Sequence, residues 1–301
     1  MFTLPKPIKP RLIRKIICLI TAVTAMSPCF ANETSTGRFI DRVDFLTEFY
    51  IYQDVRTFTN HKNAELREAY LVSAETEFEA IFVSLDSILH FGMLYSNYLG
   101  MGRQSAAILF DPREANYALV PYFEFRHQEI FYQIGLDHRC FHQIDRKTRS
   151  ISPYWNQIYI RASSANYRFP QMRKNYIDAG RNTYLDNLRW QVTAGYFVSK
   201  FGGMDRTLIS GGHPWRATAA GDIGYSFYRS ESWILSGHNK ITLLSDTSGT
   251  PFWIGGLGID ADVHNRGYAI GFFINYNYEF SRNLPLFSND QLIELGIRFR
   301  Y

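Results

Sequence analysis

The chain has 301 residues, of which 46% are hydrophobic and 16% aromatic, and its formal net charge at pH 7 is +4. Five of the 32 basic residues and none of the 28 acidic residues lie in the first 31 positions, so the remainder carries 27 basic against 28 acidic side chains. Binding to a nucleic acid draws most of its affinity from positive charge that neutralises phosphates. The composition therefore argues against a nucleic-acid partner.

The first 31 residues have the layout of a secretory signal peptide. Lysines and arginines come first, an apolar run follows over Ile16–Met26, and the small residue Ala31 ends the segment. This apolar run is too short to cross a membrane as a helix. We therefore predict a cleaved leader over 1–31 and a single barrel domain over 32–301.

Apolar residues at every second position recur throughout this domain, as in its last segment, LIELGIRFRY. Such alternation predicts strands with one apolar and one polar face. Aromatic-rich alternating strands suit a transmembrane barrel, although a soluble β-sandwich alternates in the same way. The twelve predicted strands lie near 42–57, 70–83, 86–98, 116–126, 129–142, 155–168, 185–199, 217–228, 231–245, 252–263, 267–280 and 291–301.

The lengths of the connections favour the membrane barrel. Tight turns at SLDS, RHQ, RSES and HNRG alternate with mostly longer connections, the pattern of short periplasmic turns and longer external loops in outer-membrane barrels. One connection, near 170–186, is long on the short-turn side. The first segment, 42–57, also allows the alternative of a periplasmic stretch before a ten-stranded barrel.

The last strand also predicts a partner and a location. Its terminal aromatic residue and alternating pattern resemble the signal by which barrel-assembly machinery recognises its clients in the bacterial outer membrane. Polar residues of the other parity should line the lumen. These include an acidic ladder expected to pair with arginines (Glu75, Glu77 and Glu79), a polar set on the tenth strand (Asp260, Asp262 and His264), and Arg189, Asn275, Asn277, Arg298 and Arg300.

Reactive side chains cluster at the outer end of the predicted fifth strand. His138, Cys140 and His142 continue the lipid-facing parity of that strand, and Asn156 has the lipid-facing parity of the sixth. A register that sets His138 opposite Asn156 brings their Cβ atoms within about 5.5 Å. The base, nucleophile and orienting amide of an acyl-transfer site would then share one patch. A metal site on His138 and His142 is disfavoured, since they lie about 13 Å apart along a strand.

At these residues the chain resembles the outer membrane phospholipase A barrels. His138-Arg139-Cys140 matches the His-x-Ser part of that family's signature, with cysteine in the serine position, and Trp155–Arg161 matches its Trp-Asn-x-x-Tyr-x-Arg block. The resemblance implies a twelve-stranded barrel with His138 as base, Cys140 as nucleophile and Asn156 as orienting residue. The resemblance alone also implies that the protein could bind calcium, form a homodimer and use outer-membrane lipids as ligands.

The sequence departs from this signature at some positions, and a second family matches the same stretch. Phe141-His142 replaces the family's Asn-Gly, and Pro153-Tyr154 replaces a polar pair before the tryptophan. The same stretch resembles an uncharacterised family of outer-membrane barrels with a His-x-Ser-Ser-His-Leu-Gly-Asp-Glu motif. The residues at its matching offsets are His138, Cys140, His142 and Asp145.

Two functions of different classes follow from the sequence. One is a phospholipase A-like lipid acyl hydrolase on the outer rim, in which a thiolate beside an imidazole serves as nucleophile. The other is a noncatalytic barrel, either structural or a narrow pore, in which Cys140 is inert and the rim polar residues lie among lipid headgroups. A lumen filled with crossing salt bridges would argue against a pore.

Overall fold

The computed structural model shows a closed barrel of twelve antiparallel strands. It describes residues 42–59, 71–102, 111–127, 129–143, 154–167, 187–198, 215–246, 249, 251–265, 268–277 and 292–301, so the predicted leader lies outside the described residues. The strands are Val43–Thr59 (β1), Val72–Leu85 (β2), Leu89–Gly102 (β3), Asp111–His127 (β4), Ile130–Gln143 (β5), Tyr154–Ser164 (β6), Leu188–Phe197 (β7), Trp215–Arg229 (β8), Trp233–Asp246 (β9), Pro251–Asn265 (β10), Tyr268–Asn277 (β11) and Leu292–Arg300 (β12).

Each strand pairs with its neighbours in sequence, and β1 pairs with β12 to close the sheet. The closing register runs from Tyr52 opposite Arg300 to Thr59 opposite Ile293. The predicted twelve-stranded barrel is therefore confirmed, and both the sandwich and the ten-stranded alternative are wrong because β1 completes the closed sheet. β6 pairs directly with β7, and the long connection between them lies outside the described residues.

The outer surface of the barrel is apolar and the inner surface polar, as the alternation predicts. Exposed large apolar side chains belong to the outward parity of nearly every strand, including Phe123, Ile134, Ile158, Val192, Ile259, Phe272 and Ile297. Buried charged residues belong to the other parity, including Asp54, Arg56, Glu124, Arg189, Asp260, Asp262, Glu294, Arg298 and Arg300. Such a surface matches a bilayer, where the closed ladder satisfies the backbone groups that lipid cannot.

The short turns cluster at the end of the barrel where Arg42 and Tyr301 lie. The β2–β3 turn is tied to the start of β1, because the backbone N–H of Arg42 donates to Asp86 Oδ1 at 2.7 Å. At the same end Tyr301 and Ile51 exchange two backbone hydrogen bonds, at 2.7 and 2.8 Å. This end corresponds to the predicted periplasmic side, and β5 and β6 meet the longer connection at the opposite, external side.

No helix within the described part of the chain is long and apolar enough to cross a membrane.

Candidate functional site

The register of β5 and β6 brings the predicted rim residues together. His138 lies directly opposite Asn156, and Cys140 lies opposite Tyr154. All four belong to the parity that carries the exposed side chains of Ile134 and Ile158 lower on the same strands. Directly opposed residues of an antiparallel pair share one face of the sheet. The predicted placement of the three site residues on one outward patch is therefore observed.

A hydrogen bond joins the first two of these residues. His138 Nδ1 lies 2.8 Å from Asn156 Oδ1. Because an amide oxygen only accepts, Nδ1 is the donor of this bond, and the bond does not engage Nε2. Asn156 is only 6% exposed, so the amide is held in place beneath the histidine. The arrangement fixes the imidazole in the tautomer and orientation of a general base.

Cys140 is the next outward residue of β5 and its thiol is free. Outward residues two apart on a strand are separated by about 6.6 Å along the backbone. The hydrogen bonds recorded among the described residues join His138 to Asn156 and do not join it to Cys140. Contact between thiol and imidazole therefore requires a change of side-chain rotamer at one of the two residues.

Aromatic rings surround these polar groups. The Tyr154 ring centroid lies 6.5 Å from that of His138, and the Tyr117 centroid lies 5.7 Å from that of His142. Tyr117 is directly opposite Cys140 on the β4 side, as Tyr154 is on the β6 side. The thiol is thus placed between two tyrosines, in a setting that is partly apolar and only partly exposed.

The patch lies where the outer surface changes from aliphatic to polar. His138 is eight residues above Ile130, or about 26 Å along the strand and about 20 Å along the barrel axis for a tilt near 40°. The apolar band of an outer-membrane barrel is about 25 Å tall. Measured from Ile130, His138 and Asn156 therefore lie in the outer part of a band of that height.

The described rim residues do not fit a calcium ion. Calcium takes six to eight oxygen ligands, whereas Asn156 Oδ1 is already bonded to His138 and Asp137 faces the lumen, 2.9 Å from Arg139. No group of three or more His, Cys, Asp or Glu side chains in the described segments is placed to hold a metal ion.

Crossing ion pairs fill much of the lumen. Arg298 binds both Asp260 and Asp262, at 2.7 and 2.6 Å, and Arg189 reaches Asp260 from β7 at 2.9 Å. On β1, which is next to β12, Arg56 bonds to Asp54 and, at 2.7 Å, to Glu75 on β2. The predicted inward polar residues are therefore confirmed, and most of them act as structural ion pairs.

The acidic ladder of β2 is likewise observed on the lumen side. Glu75, Glu77 and Glu79 line the same lumenal cavity. Glu75 pairs with Arg56 as predicted, but Glu79 accepts a hydrogen bond from the hydroxyl of Tyr122 at 2.6 Å. The sequence does not indicate this contact, because Tyr122 is on β4 and reaches Glu79 on β2 over Gly92 of the intervening strand.

A polar layer on β1 and β4 lies between two of the lumenal cavities. Arg126 on β4 bonds to Glu48 on β1 and, at 2.6 Å, to Glu124 on its own strand. Below it a cavity of about 580 Å³ faces the periplasmic end, and above it a cavity of about 650 Å³ extends outward. The hydroxyl of Tyr50, which lines the outer cavity, donates to Glu48. The layer is therefore continuous from Tyr50 to Glu124.

Comparison with known proteins identifies the fold but no family. No family model matches the sequence, and no curated protein matches it. Among solved structures, an outer membrane channel from Pseudomonas putida F1 is 9% identical, with a TM-score of 0.50, over 89% of this chain and 99% of that chain. Outer membrane phospholipase A from Escherichia coli is 13% identical, with a TM-score of 0.47, over 83% and 91%.

A third similar structure is the outer membrane phospholipase dimer of Salmonella typhi with bound calcium. It is 14% identical, with a TM-score of 0.47, over 83% of this chain and 89% of that chain. At such identities a structural match indicates fold and not function. The chain has the fold of outer-membrane β-barrel proteins.

Proposed function

We propose that this barrel is a lipid acyl hydrolase whose site lies on the outer rim at His138, Cys140 and Asn156. The observation that carries the proposal is the 2.8 Å hydrogen bond between His138 Nδ1 and Asn156 Oδ1. A noncatalytic headgroup contact would not require a buried amide to orient an imidazole. The bond leaves Nε2 available at the lipid-facing surface, where a base is needed for acyl transfer.

The chemistry follows from the three side chains. His138 Nε2 removes the proton of the Cys140 thiol, and the thiolate attacks the carbonyl carbon of a lipid ester. The imidazolium then protonates the departing alcohol, leaving the acyl group on sulfur as a thioester. A water molecule, deprotonated by the same Nε2, attacks the thioester, and the thiol regains its proton as the fatty acid leaves. Asn156 holds the ring in orientation through both halves of the reaction.

The site's depth suggests how a substrate reaches it. Ile158 and Ile160 on β6 and Ile134 on β5 form an aliphatic surface directly below the His138–Asn156 pair. Acyl chains of outer-membrane lipids would lie along this surface, which brings their ester groups to the level of Nε2.

Homodimerisation and recognition by the barrel-assembly machinery remain predictions.

The alternative is a noncatalytic barrel, and a specific observation favours its sealed form over a pore. The bonds from Arg189 to Asp260 and from Arg126 to Glu48 cross the lumen between strands that are not neighbours. A lumen tied together in this way lends rigidity and obstructs passage. In this alternative the rim residues contact headgroups without reacting with them.

One assay distinguishes the two. Purified barrel in mixed micelles is incubated with radiolabelled phospholipid or lipid A, and release of fatty acid is compared among wild type, His138→Ala and Cys140→Ala. His142→Ala is the matched control, because that imidazole shares the same strand face four residues away. We expect release by wild type and by the control only. Equal release from all four proteins, or none from any, would exclude the hydrolase.

A further inference from the structure

The outer lumenal cavity has the size of a small-molecule site. Its volume is about 650 Å³, within the range of ligand pockets. It extends from Trp155 and Leu244, near the external ends of β6 and β9, down to Asp260 and Arg300 in the periplasmic half of the barrel. A solute entering from outside would therefore reach the base of β12 before meeting the layer at Arg126.

Three arginines at the bottom of this cavity share two carboxylates. Arg189, Arg298 and Arg300 contact Asp260 and Asp262, whereas Asp54, which lies opposite Arg298 on β1, is bonded to Arg56. Arg298 makes short bonds to both acids, and Arg189 takes one oxygen of Asp260. One guanidinium charge is therefore left without a carboxylate of its own.

Arg300 carries the unmatched charge. Its one recorded polar side-chain contact with the described residues is to Asp262 Oδ2, at 3.5 Å. A guanidinium has five N–H donors, and Arg300 is only 6% exposed. A buried charge with so few partners is unfavourable. An anion in the cavity would supply the missing acceptors.

The acids near Arg300 limit what that anion can be. Glu294 on β12 and Glu75 and Glu77 on β2 also line the cavity, with Arg56 of the intervening strand β1 as their neighbouring cation. A solute with several negative charges would be repelled by these carboxylates. A planar carboxylate suits the guanidinium fork, because it accepts two parallel N–H bonds.

We propose that the outer lumenal cavity binds a small monocarboxylate, with Arg300 as the primary contact. The binding site is separate from the rim, since Arg300 faces the lumen and His138 faces lipid. It adds a solute-binding function to the barrel whether or not the rim is catalytic.

The test uses the full barrel in detergent micelles and ¹³C-labelled acetate as the probe. Binding is followed as saturable broadening of the carboxylate resonance, with inorganic phosphate as a second probe. We expect broadening with wild type, at least a tenfold loss of affinity in Arg300→Gln, and little change in Lys240→Gln, which removes another cation of the same cavity. Stronger binding of phosphate than of acetate would overturn the assignment to a monocarboxylate.

A stability measurement separates binding from structure. Arg300→Gln should unfold at the same or a higher denaturant concentration than wild type without acetate, because the unmatched buried charge is gone. Acetate should raise the wild-type midpoint and leave the variant unchanged. Arg300→Lys, which keeps the charge without the fork, should bind more weakly than wild type. Absence of saturable binding to wild type, or equal binding to Arg300→Gln, would overturn the proposal.

Discussion

His138 and Asn156 come from neighbouring strands, and the 2.8 Å bond between them is made on the face of the sheet that meets lipid. A bond of this kind is stronger where water is scarce than on a solvated surface. The imidazole is therefore oriented before any substrate arrives. That preorganisation is what a general base requires.

Removing the amide should disable the base without unfolding the barrel. We expect Asn156→Ala to lower the rate of fatty-acid release by roughly 10²-fold, because the ring loses its fixed tautomer. Asn156→Asp, which keeps an oxygen acceptor, should retain most of the rate. Initial rates in mixed micelles measure both, and an Asn156→Ala variant as active as wild type would remove Asn156 from the site.

Alkylation can test whether His138 activates Cys140. We expect iodoacetamide to modify Cys140 about tenfold faster in wild type than in His138→Ala, because the imidazole accepts the thiol proton and alkylation needs the thiolate. Mass spectrometry of the modified peptide gives the rate. His142→Ala is the control and should react like wild type. Identical rates in all three proteins would show that His138 does not activate the thiol.

The Arg298 ion pairs should be a major source of stability. Arg298→Gln leaves Asp260 and Asp262 with fewer partners, and loss of one member of a buried pair costs about 3–5 kcal/mol. Unfolding in guanidinium chloride, followed by tryptophan fluorescence, would measure this loss of stability. Arg139→Gln breaks a pair whose arginine side chain is 45% exposed, and should cost only about 0–1 kcal/mol. Equal losses would contradict the ranking.

The layer at Arg126 should obstruct ion flow. We expect Arg126→Ala to raise single-channel conductance in planar bilayers, because it removes the side chain that spans from Glu124 to Glu48 between the two cavities. Wild type should conduct little. Arg42→Ala alters an exposed arginine at the periplasmic mouth and should leave conductance unchanged. High wild-type conductance would mean that another route crosses the barrel.

The β2–β3 turn offers a stabilising substitution. Asp86 and Ser87 have φ angles of 51° and 56°, the left-handed geometry of a type I′ turn, which favours glycine. Ser87→Gly should raise the free energy of unfolding by about 0.5 kcal/mol, since relief of backbone strain exceeds glycine's extra chain entropy. Asp86→Gly should bring no gain, because it removes the acceptor of the Arg42 N–H. Chemical denaturation compares the two.

Sequence patterns predict what depends on parity and on neighbouring strands. Alternation alone places His138 outward and Arg298 inward. That β5 and β6 are consecutive makes the pairing of His138 with Asn156 one of the available registers, and the structure shows that this register is adopted. The bond from Arg189 to Asp260 spans 71 residues, and that from Arg126 to Glu48 spans 78. Such contacts depend on the stagger with which the barrel closes, which no local pattern encodes.

The β2–β3 turn is also only partly predictable from the sequence. The polar residues of SLDS indicate a turn, but Asp86-Ser87 is not the Asn-Gly pair that usually indicates left-handed backbone at both positions. The unmatched charge of Arg300 is also hidden from the sequence. It emerges only when three arginines are seen to share Asp260 and Asp262.

The lumenal charges also affect how the unfolded chain would pass through a membrane. A protein of the outer membrane must first pass the inner one, where a long apolar stretch would be retained as a helix. In β10, Asp260 and Asp262 alternate with the apolar residues and so break up the apolar run, as Arg298 and Arg300 do in β12. The residues that tie the finished barrel together thus also make each strand too hydrophilic to be retained in a membrane as a helix.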